Sequence, residues 1–283
     1  MTKCGTAMRR NGLTLLLKAR LALPLLLRFP LAAALLAAGA AQAAPATWLW
    51  AWDRPEDLRW IPPGVGVAYF AAELQIYGEH IRSTRRQAVL RLPPDTPRRP
   101  VIHVEAFDRH RPALLDEAAA ERWAAALYQA ITQLGAGEVQ IDFEARAAQR
   151  SFYRQVLHTL RAQLPADYRI SITALASWCG DAAWLQTLPV DEIVPMFFRL
   201  GPAERTLWQA RMRAPERLPA PCRTSAGLAT DEWNSLAGGE AGAALASFDD
   251  RTLYLFSPRA WRAGTLSALP GWTQRQAAAA PSR

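Results

Sequence analysis

Hydrophobic and polar residues alternate in a series of short runs along the chain, and helix-length segments separate many of these runs. The alternation predicts eight strands, over residues 47–52, 65–70, 101–107, 139–144, 170–176, 192–198, 227–231 and 252–257. Between the third and fourth strands, apolar residues at helical spacing predict a helix over 116–134, with Gly135 as its C-cap. Strand and helix therefore alternate along much of the chain.

Further segments predict the remaining helical crossovers. An apolar stripe over 152–160 ends before Pro165, and residues 203–213 and 240–248 predict two more helices. Such alternation favours a parallel sheet, and eight strands in one domain predict a closed (β/α)8 TIM barrel of the α/β class. A doubly wound open sheet is the alternative.

The first forty residues have the composition of an export signal. Six basic residues precede or interrupt apolar runs, and Ala41-Gln42-Ala43 fits the small-x-small pattern of a cleavage site. We therefore predict a signal peptide over 1–43, a barrel domain over 44–275 and a disordered tail over 276–283, in a periplasmic or secreted bacterial protein. A retained anchor, which would attach the protein to a membrane through this segment only, is the alternative.

The charge of the chain argues against one class of partner, nucleic acids. Removing the leader lowers the formal charge from +8 to about +2, and both lysines of the chain lie in it. The remaining arginines are scattered among acidic residues, which argues against nucleic-acid binding. We expect a monomer.

Two cysteines remain after the leader. Cys179 and Cys222 form an even pair in a chain predicted to enter an oxidising compartment, so we predict a disulfide between them. Two buried thiols are the alternative.

The fourth strand carries the most informative side chains. Its alternation places Gln140, Asp142 and Glu144 on one face, so two carboxylates lie together at a strand end. The carboxyl ends of barrel strands form the catalytic face, and paired carboxylates are the groups that cleave glycosidic bonds. Asp142 and Glu144 are thus the candidate catalytic residues.

Other strand ends supply groups that suit a sugar ligand. Carboxylates and an arginine can bind hydroxyls, and tryptophans can stack on sugar rings. The predicted substrate-binding residues are Gln140, Glu105, Asp53, Trp52, Trp178, Arg199, Asp231 and Glu232, with Trp50 and Trp233 as further aromatic candidates. No phosphate loop or other cofactor motif is present, so we predict no cofactor. A metal site built from His103, Glu105 and Asp142 is an alternative reading of the same rim.

Four segments together resemble a bacterial secreted family known only as a domain of unknown function. They are Gln140 to Glu144, Ser171 to Cys179, Pro195-Met196-Phe197-Phe198-Arg199 and Leu253 to Pro258. The resemblance covers nearly all the chain after the leader and implies a barrel fold without an established activity.

A more distant resemblance is to the family 18 glycoside hydrolases. Their fourth barrel strand ends in Asp-x-x-Asp-x-Asp-x-Glu, and Asp142 and Glu144 match its last two acids. The resemblance implies that Glu144 is the general acid. It also implies that Asp142 orients and stabilises an acetamido group of the substrate, which acts as the nucleophile.

The chain departs from the pattern of this family at four positions. Gly137 and Gln140 replace the first two acids, and Phe198 and Arg199 replace the Tyr and Asp of a Met-x-Tyr-Asp motif on the sixth strand. We expect Arg199 to lie near the carboxylate pair and to lower its pKa values.

These observations predict a glycoside hydrolase-like barrel that acts on bacterial or environmental polysaccharide. One alternative is a non-catalytic protein that binds carbohydrate or assists envelope assembly with a degenerate site. Another is a structural envelope protein in which the fourth-strand acids are sealed in salt bridges.

Overall fold

The computed structural model describes residues 46–106, 110–212, 214–233, 251–273 and 275. Within them the strands are β1 (Thr47–Ala51), β2 (Glu56–Asp57), β3 (Val65–Tyr77), β4 (His80–Arg85), β5 (Leu90–Arg91), β6 (Arg98–Glu105), β7 (Glu138–Asp142), β8 (Arg169–Leu175), β9 (Glu192–Met196), β10 (Ser225–Ala229) and β11 (Thr252–Phe256). The α-helices are α1 (Glu117–Leu134), α2 (Arg150–Gln163), α3 (Ala182–Leu185), α4 (Pro202–Met212) and α5 (Ala263–Ser267). The predicted signal segment, helix 240–248 and tail 276–283 lie outside the described residues.

Eight parallel strands close into a barrel. Their order is β1-β11-β10-β9-β8-β7-β6-β3, and β3 pairs back onto β1. Each of the eight predicted runs contributes one of these strands, so the predicted (β/α)8 TIM barrel is confirmed. The pairing of β1 with β3 rules out the open sheet.

The second barrel strand is longer than predicted. It continues past Phe70 to Tyr77, turns at Gly78 with φ 59°, and returns as the antiparallel strand β4. The ladder with β6 shifts register between Phe70 and Ala72, which is a β-bulge. Beyond the bulge the alternation resumes, with Leu74 and Ile76 buried. A hairpin therefore occupies the crossover to β6, where other crossovers carry helices.

The predicted ends of the two main helices agree with the structure. The Asp116 carboxylate accepts a hydrogen bond of 2.7 Å from the Ala119 N–H and caps α1, which ends at Gly135 in a left-handed conformation with φ 62°. Helix α2 ends at Gln163 because Leu164 is extended before Pro165. Among the described residues, no helix combines the length and the apolar character needed to cross a membrane.

Large aromatic side chains fill the barrel interior. Trp48, Trp50, Ala68, Val101, Val194 and Tyr254 form an apolar cluster there, separate from the layer between strands and helices. Glycines opposite the tryptophans make this possible. A Cβ on Gly66 would lie 2.6 Å from the Trp48 ring, and one on Gly227 would lie 2.7 Å from Trp50 Cη2.

A disulfide connects two crossovers on the outside of the barrel. Cys179 lies in a 3₁₀ segment after β8, and Cys222 lies in another before β10. Their sulfur atoms are bonded, with 6.1 Å between the Cα atoms. Both residues are buried.

Candidate active site

A cavity of about 220 Å³ opens at the carboxyl ends of the barrel strands. One part of its wall is apolar and aromatic, and the other part carries polar and charged groups. The apolar residues are Trp50, Trp52, Val101, Met196, Phe198 and Phe256, and the polar ones are Arg54, His103, Asp142, Glu144 and Thr173. A polar edge facing aromatic surfaces can bind a molecule that has both hydroxyls and apolar ring faces, as sugars do.

Asp142, the last residue of β7, is held on both carboxylate oxygens. Its Oδ1 accepts a hydrogen bond of 2.6 Å from the Thr173 hydroxyl on β8. Its Oδ2 lies 2.9 Å from His103 Nδ1 on β6, where the strand register places His103 directly opposite. The side chain is 10% exposed, so these two neighbours fix its orientation.

Glu144 lies two residues further on, at the mouth of the cavity. Its outer side is exposed, but the cavity wall removes part of its hydration. This desolvation and the negative charge of Asp142 raise the pKa of Glu144, with Glu105 adding to the increase and His103 opposing it. A carboxyl group with a raised pKa can keep its proton for donation to a leaving group.

His103 lies among acidic groups from three strands. Besides Asp142, Glu105 on the same strand approaches with 4.0 Å between His103 Nε2 and Glu105 Oε2, and Glu73 on β3 is its register partner. Burial opposes a charge on the ring, but the hydrogen bond to Asp142 and the three negative charges outweigh it and raise the pKa of His103. The ring also packs edge-on against Trp52, with 5.6 Å between centroids.

Several of the predicted site residues lie at or beside this cavity. Trp52, Asp142 and Glu144 line it, and Glu105 stands next to it as a neighbour of His103. Asp53 is exposed, and its carboxylate accepts a hydrogen bond of 3.3 Å from the Ala88 N–H.

Gln140 and Trp178 are placed in the protein interior. The Gln140 side chain is fully buried, accepting a hydrogen bond of 2.6 Å from the Trp50 indole and donating one of 3.1 Å to Ser171 Oγ. Trp178 is 1% exposed, because β8 ends at Leu175 and the following 3₁₀ segment turns its ring toward Tyr153 and Trp184. These positions make them structural residues and correct the expectation that they touch a ligand.

Arg199, Asp231 and Glu232 form a group of their own on the rim. The Arg199 guanidinium lies 2.9 Å from the Asp231 carboxylate and also contacts Glu232, whose carboxylate accepts the Arg199 N–H. Arg199 has a left-handed backbone with φ 58°, and Trp233 next to this group is buried. We expected Arg199 to lower the pKa values of the carboxylate pair, and for Glu144 this was wrong, since its pKa is raised and Arg199 is not among the causes.

Thr173, Arg54 and Phe256 also line the cavity and were not predicted from the sequence. Thr173 had a signal, because it is the polar inward residue of an alternating strand. Arg54 had none. Its guanidinium forms a 2.7 Å ion pair with Glu56 and donates to the carbonyls of Ser257, Pro258 and Arg259, which fixes the turn after β11.

Metal binding by this rim is not supported by the geometry. Across the described residues, no three His, Cys, Asp or Glu side chains are grouped so that they could hold a metal ion.

The barrel resembles solved structures of glycoside hydrolases. It matches a Streptomyces coelicolor protein provisionally named chitinase A with a TM-score of 0.56 and 12% identity, covering 82% of this chain and 97% of that one. It matches a family 18 chitinase from Pseudoalteromonas aurantia with a TM-score of 0.50 and 12% identity, covering 82% and 99%. No family model matches the sequence, and no curated protein matches it. At this identity the similarity establishes a shared barrel fold.

Proposed function

We propose that this protein is a glycoside hydrolase acting on polysaccharide, with Glu144 as the general acid and Asp142 as the group that stabilises positive charge. One observation carries the proposal: the carboxylates of Asp142 and Glu144 line one cavity but have different surroundings. Asp142 is buried and hydrogen-bonded on both oxygens, whereas Glu144 is at the mouth with a raised pKa. This division is what acid catalysis of glycoside cleavage needs.

The proposed reaction uses Glu144 first as an acid and then as a base, and Asp142 as a fixed anion. Protonated Glu144 donates its proton to the glycosidic oxygen as the bond from that oxygen to the anomeric carbon breaks. Positive charge then develops at the sugar ring, and the Asp142 carboxylate stabilises it. The aromatic wall, including Trp52 and Phe256, gives the ring an apolar face on which to stack.

We infer the source of the nucleophile from the carboxylates in and near the cavity. Of the described residues lining the cavity, Asp142 and Glu144 carry the carboxylates, and Asp231 and Glu232 are bound to Arg199. The resemblance to family 18 therefore favours attack by an acetamido group of the substrate, with Asp142 oriented toward that group. The acetamido oxygen bonds to the anomeric carbon as the leaving alcohol departs with the proton of Glu144. Water then attacks the same carbon and breaks that bond, and the Glu144 carboxylate accepts a proton from the water. This narrows the proposed substrates to glycans with N-acetylated sugars.

The test is the substitution Glu144→Gln, which keeps the shape of the side chain and removes the proton it would donate. We expect kcat to fall by about 100-fold or more on a fluorogenic glycoside of N-acetylglucosamine oligomers, with a smaller change in KM. Chitin and peptidoglycan would serve as polymeric substrates. The matched control is Glu121→Gln, which changes an exposed glutamate on α1 and should leave kcat unaltered. Equal rates for wild type and Glu144→Gln would remove Glu144 from the mechanism.

A second candidate function is sugar binding without turnover. It is favoured by Phe198 in the cavity wall, because a phenylalanine cannot supply the hydroxyl of the family's tyrosine. Calorimetric titration of the wild type with N-acetylglucosamine oligomers distinguishes the two, since binding that releases no product would support this second function.

We also propose that the protein works outside the cytoplasm. The disulfide between Cys179 and Cys222 supports this, because such bonds persist mainly in oxidising compartments.

A further inference from the structure

His103 contacts the Asp142 carboxylate and lines the same cavity as Glu144. It stands opposite Asp142 in the strand register and is three-quarters buried. The acidic groups around it are Asp142 at the end of β7, Glu144 just beyond that end, Glu105 on its own strand and Glu73 on β3, while Trp52 packs against the ring. Among the described residues of the cavity wall the arginine is Arg54, and its guanidinium is bound to Glu56 and to backbone carbonyls.

Gln140, the other inward neighbour of Asp142, cannot serve as a positively charged partner of this carboxylate. Gln140 precedes Asp142 on the same face of β7, but it is neutral, and both ends of its amide are used by Trp50 and Ser171. Thr173 supplies a hydroxyl to Asp142 but no charge. Of the described groups hydrogen-bonded to Asp142, His103 is thus the one that can carry a positive charge.

We propose that His103 is a positioning residue that, as an imidazolium, holds the Asp142 carboxylate in one orientation and keeps it from sharing the proton of Glu144. An ionised carboxylate can only accept hydrogen bonds, so Nδ1–H of His103 donates to Oδ2 of Asp142 while Thr173 donates to Oδ1. With both oxygens bound in this way, Asp142 does not turn toward Glu144, and the proton of Glu144 remains for the glycosidic oxygen. The part of this inference that concerns catalysis rests on the proposed function.

The pairing itself can be tested without any substrate. The chain has four histidines, so proton and carbon NMR of their rings can follow each one through a pH titration, with His103→Gln identifying the signal. We expect the His103 midpoint to lie above the ordinary value of about 6.5 and to fall in Asp142→Asn. The control Thr173→Val removes the other hydrogen bond to Asp142 but leaves its charge, and should leave the midpoint close to that of wild type.

The catalytic role is tested by the pH dependence of kcat in His103→Gln. We expect kcat to fall by about 10-fold to 100-fold with little change in KM, because Asp142 is no longer fixed. The alkaline limb should also move to higher pH, since the cation that lowers the pKa of Glu144 is gone. A residue needed only for folding would not move this limb. His158→Gln, which changes an exposed histidine on α2, is the matched control.

Two results would contradict the inference. A His103 midpoint that is the same in wild type and Asp142→Asn would overturn the pairing. A His103→Gln protein with wild-type kcat and an unmoved alkaline limb would overturn the positioning role. A wild type that hydrolyses no glycan would instead overturn the proposed function, and the NMR titration would still decide the pairing.

Discussion

Asp142 ends β7 and Glu144 lies two residues beyond it, yet their surroundings separate them chemically. Asp142 is held by a hydroxyl and an imidazole, and Glu144 reaches the cavity mouth without a hydrogen bond of that kind. Desolvation and the nearby charge of Asp142 disfavour ionisation of Glu144. Because an acid catalyst must be protonated when it acts, this difference supports the acid role proposed for Glu144.

The pH dependence of activity should reflect the charges around Glu144. A raised pKa keeps the acid form to higher pH, so activity should be lost as pH rises through that pKa. Glu105 contributes to the increase without lining the cavity, so Glu105→Gln should lower the pKa of Glu144 and move the alkaline limb of kcat/KM to lower pH. The pH profile of Glu121→Gln should match wild type. An unchanged limb in Glu105→Gln would mean that Glu144 is not the group observed.

At the same scale, the sequence predicted some site residues and missed others for a physical reason. Alternation over residues 139–144 was enough to predict that Asp142 and Glu144 face the same way, although β7 itself ends at Asp142. The role of His103 depends on which residue of β6 lies opposite Asp142. The register between two strands that are joined by a crossover cannot be predicted from the sequence of either strand. Trp178 was misplaced because the chain leaves β8 after Leu175, and a 3₁₀ turn reverses which side chains face the barrel.

At the scale of elements, alternation predicted all eight barrel strands but not the full length of β3. Its pattern is interrupted at Ala71-Ala72, where the bulge shifts the register with β6. A bulge moves every later side chain to the opposite face relative to a simple period of two. The predicted strand therefore stopped at Phe70, although the structure continues it to Tyr77.

The strands also depend on two glycines that leave room for tryptophan rings. Gly66→Ala would place a Cβ 2.6 Å from Trp48, whose ring stacks on Tyr254 and lies under the Arg99 guanidinium. Gly227→Ala would place one 2.7 Å from Trp50. Since neither ring can move freely, we expect each substitution to lower the free energy of unfolding by about 1–3 kcal/mol, measured by urea denaturation.

Gly137→Ala is the control for these two variants. Gly137 has no neighbour within 4 Å of the added Cβ and does not have a left-handed backbone. Its unfolding free energy should stay within about 0.5 kcal/mol of wild type. Equal stability of Gly66→Ala and Gly137→Ala would show that the interior packing around Trp48 is looser than the structure indicates.

At the scale of the whole molecule, a cluster of polar side chains, which we call the Arg99 network, lies in the barrel interior at the end opposite the cavity. Arg99 on β6 forms a 2.7 Å ion pair with Glu138 on β7 and contacts Glu192 on β9 and the Tyr254 hydroxyl on β11. Ser225 on β10 donates to Glu192 at 2.7 Å, and the guanidinium lies 4.5 Å from the Trp48 ring centroid on β1. Six of the eight strands are thereby linked through the barrel interior.

Removing Arg99 should therefore weaken the whole barrel. Arg99→Met leaves the Glu138 and Glu192 carboxylates, which are 25% and 12% exposed, without their cation. We therefore expect the free energy of unfolding, measured by urea denaturation, to fall by about 3–5 kcal/mol. In Arg91→Met, the control, an exposed arginine loses a 3.9 Å pair with Asp57, and a loss of about 0.5 kcal/mol or less is expected. The double variant Arg99→Met/Glu192→Gln should recover part of the loss, because it removes one of the two uncompensated charges. If Arg99→Met and Arg91→Met were equally stable, the Arg99 network would not stabilise the barrel.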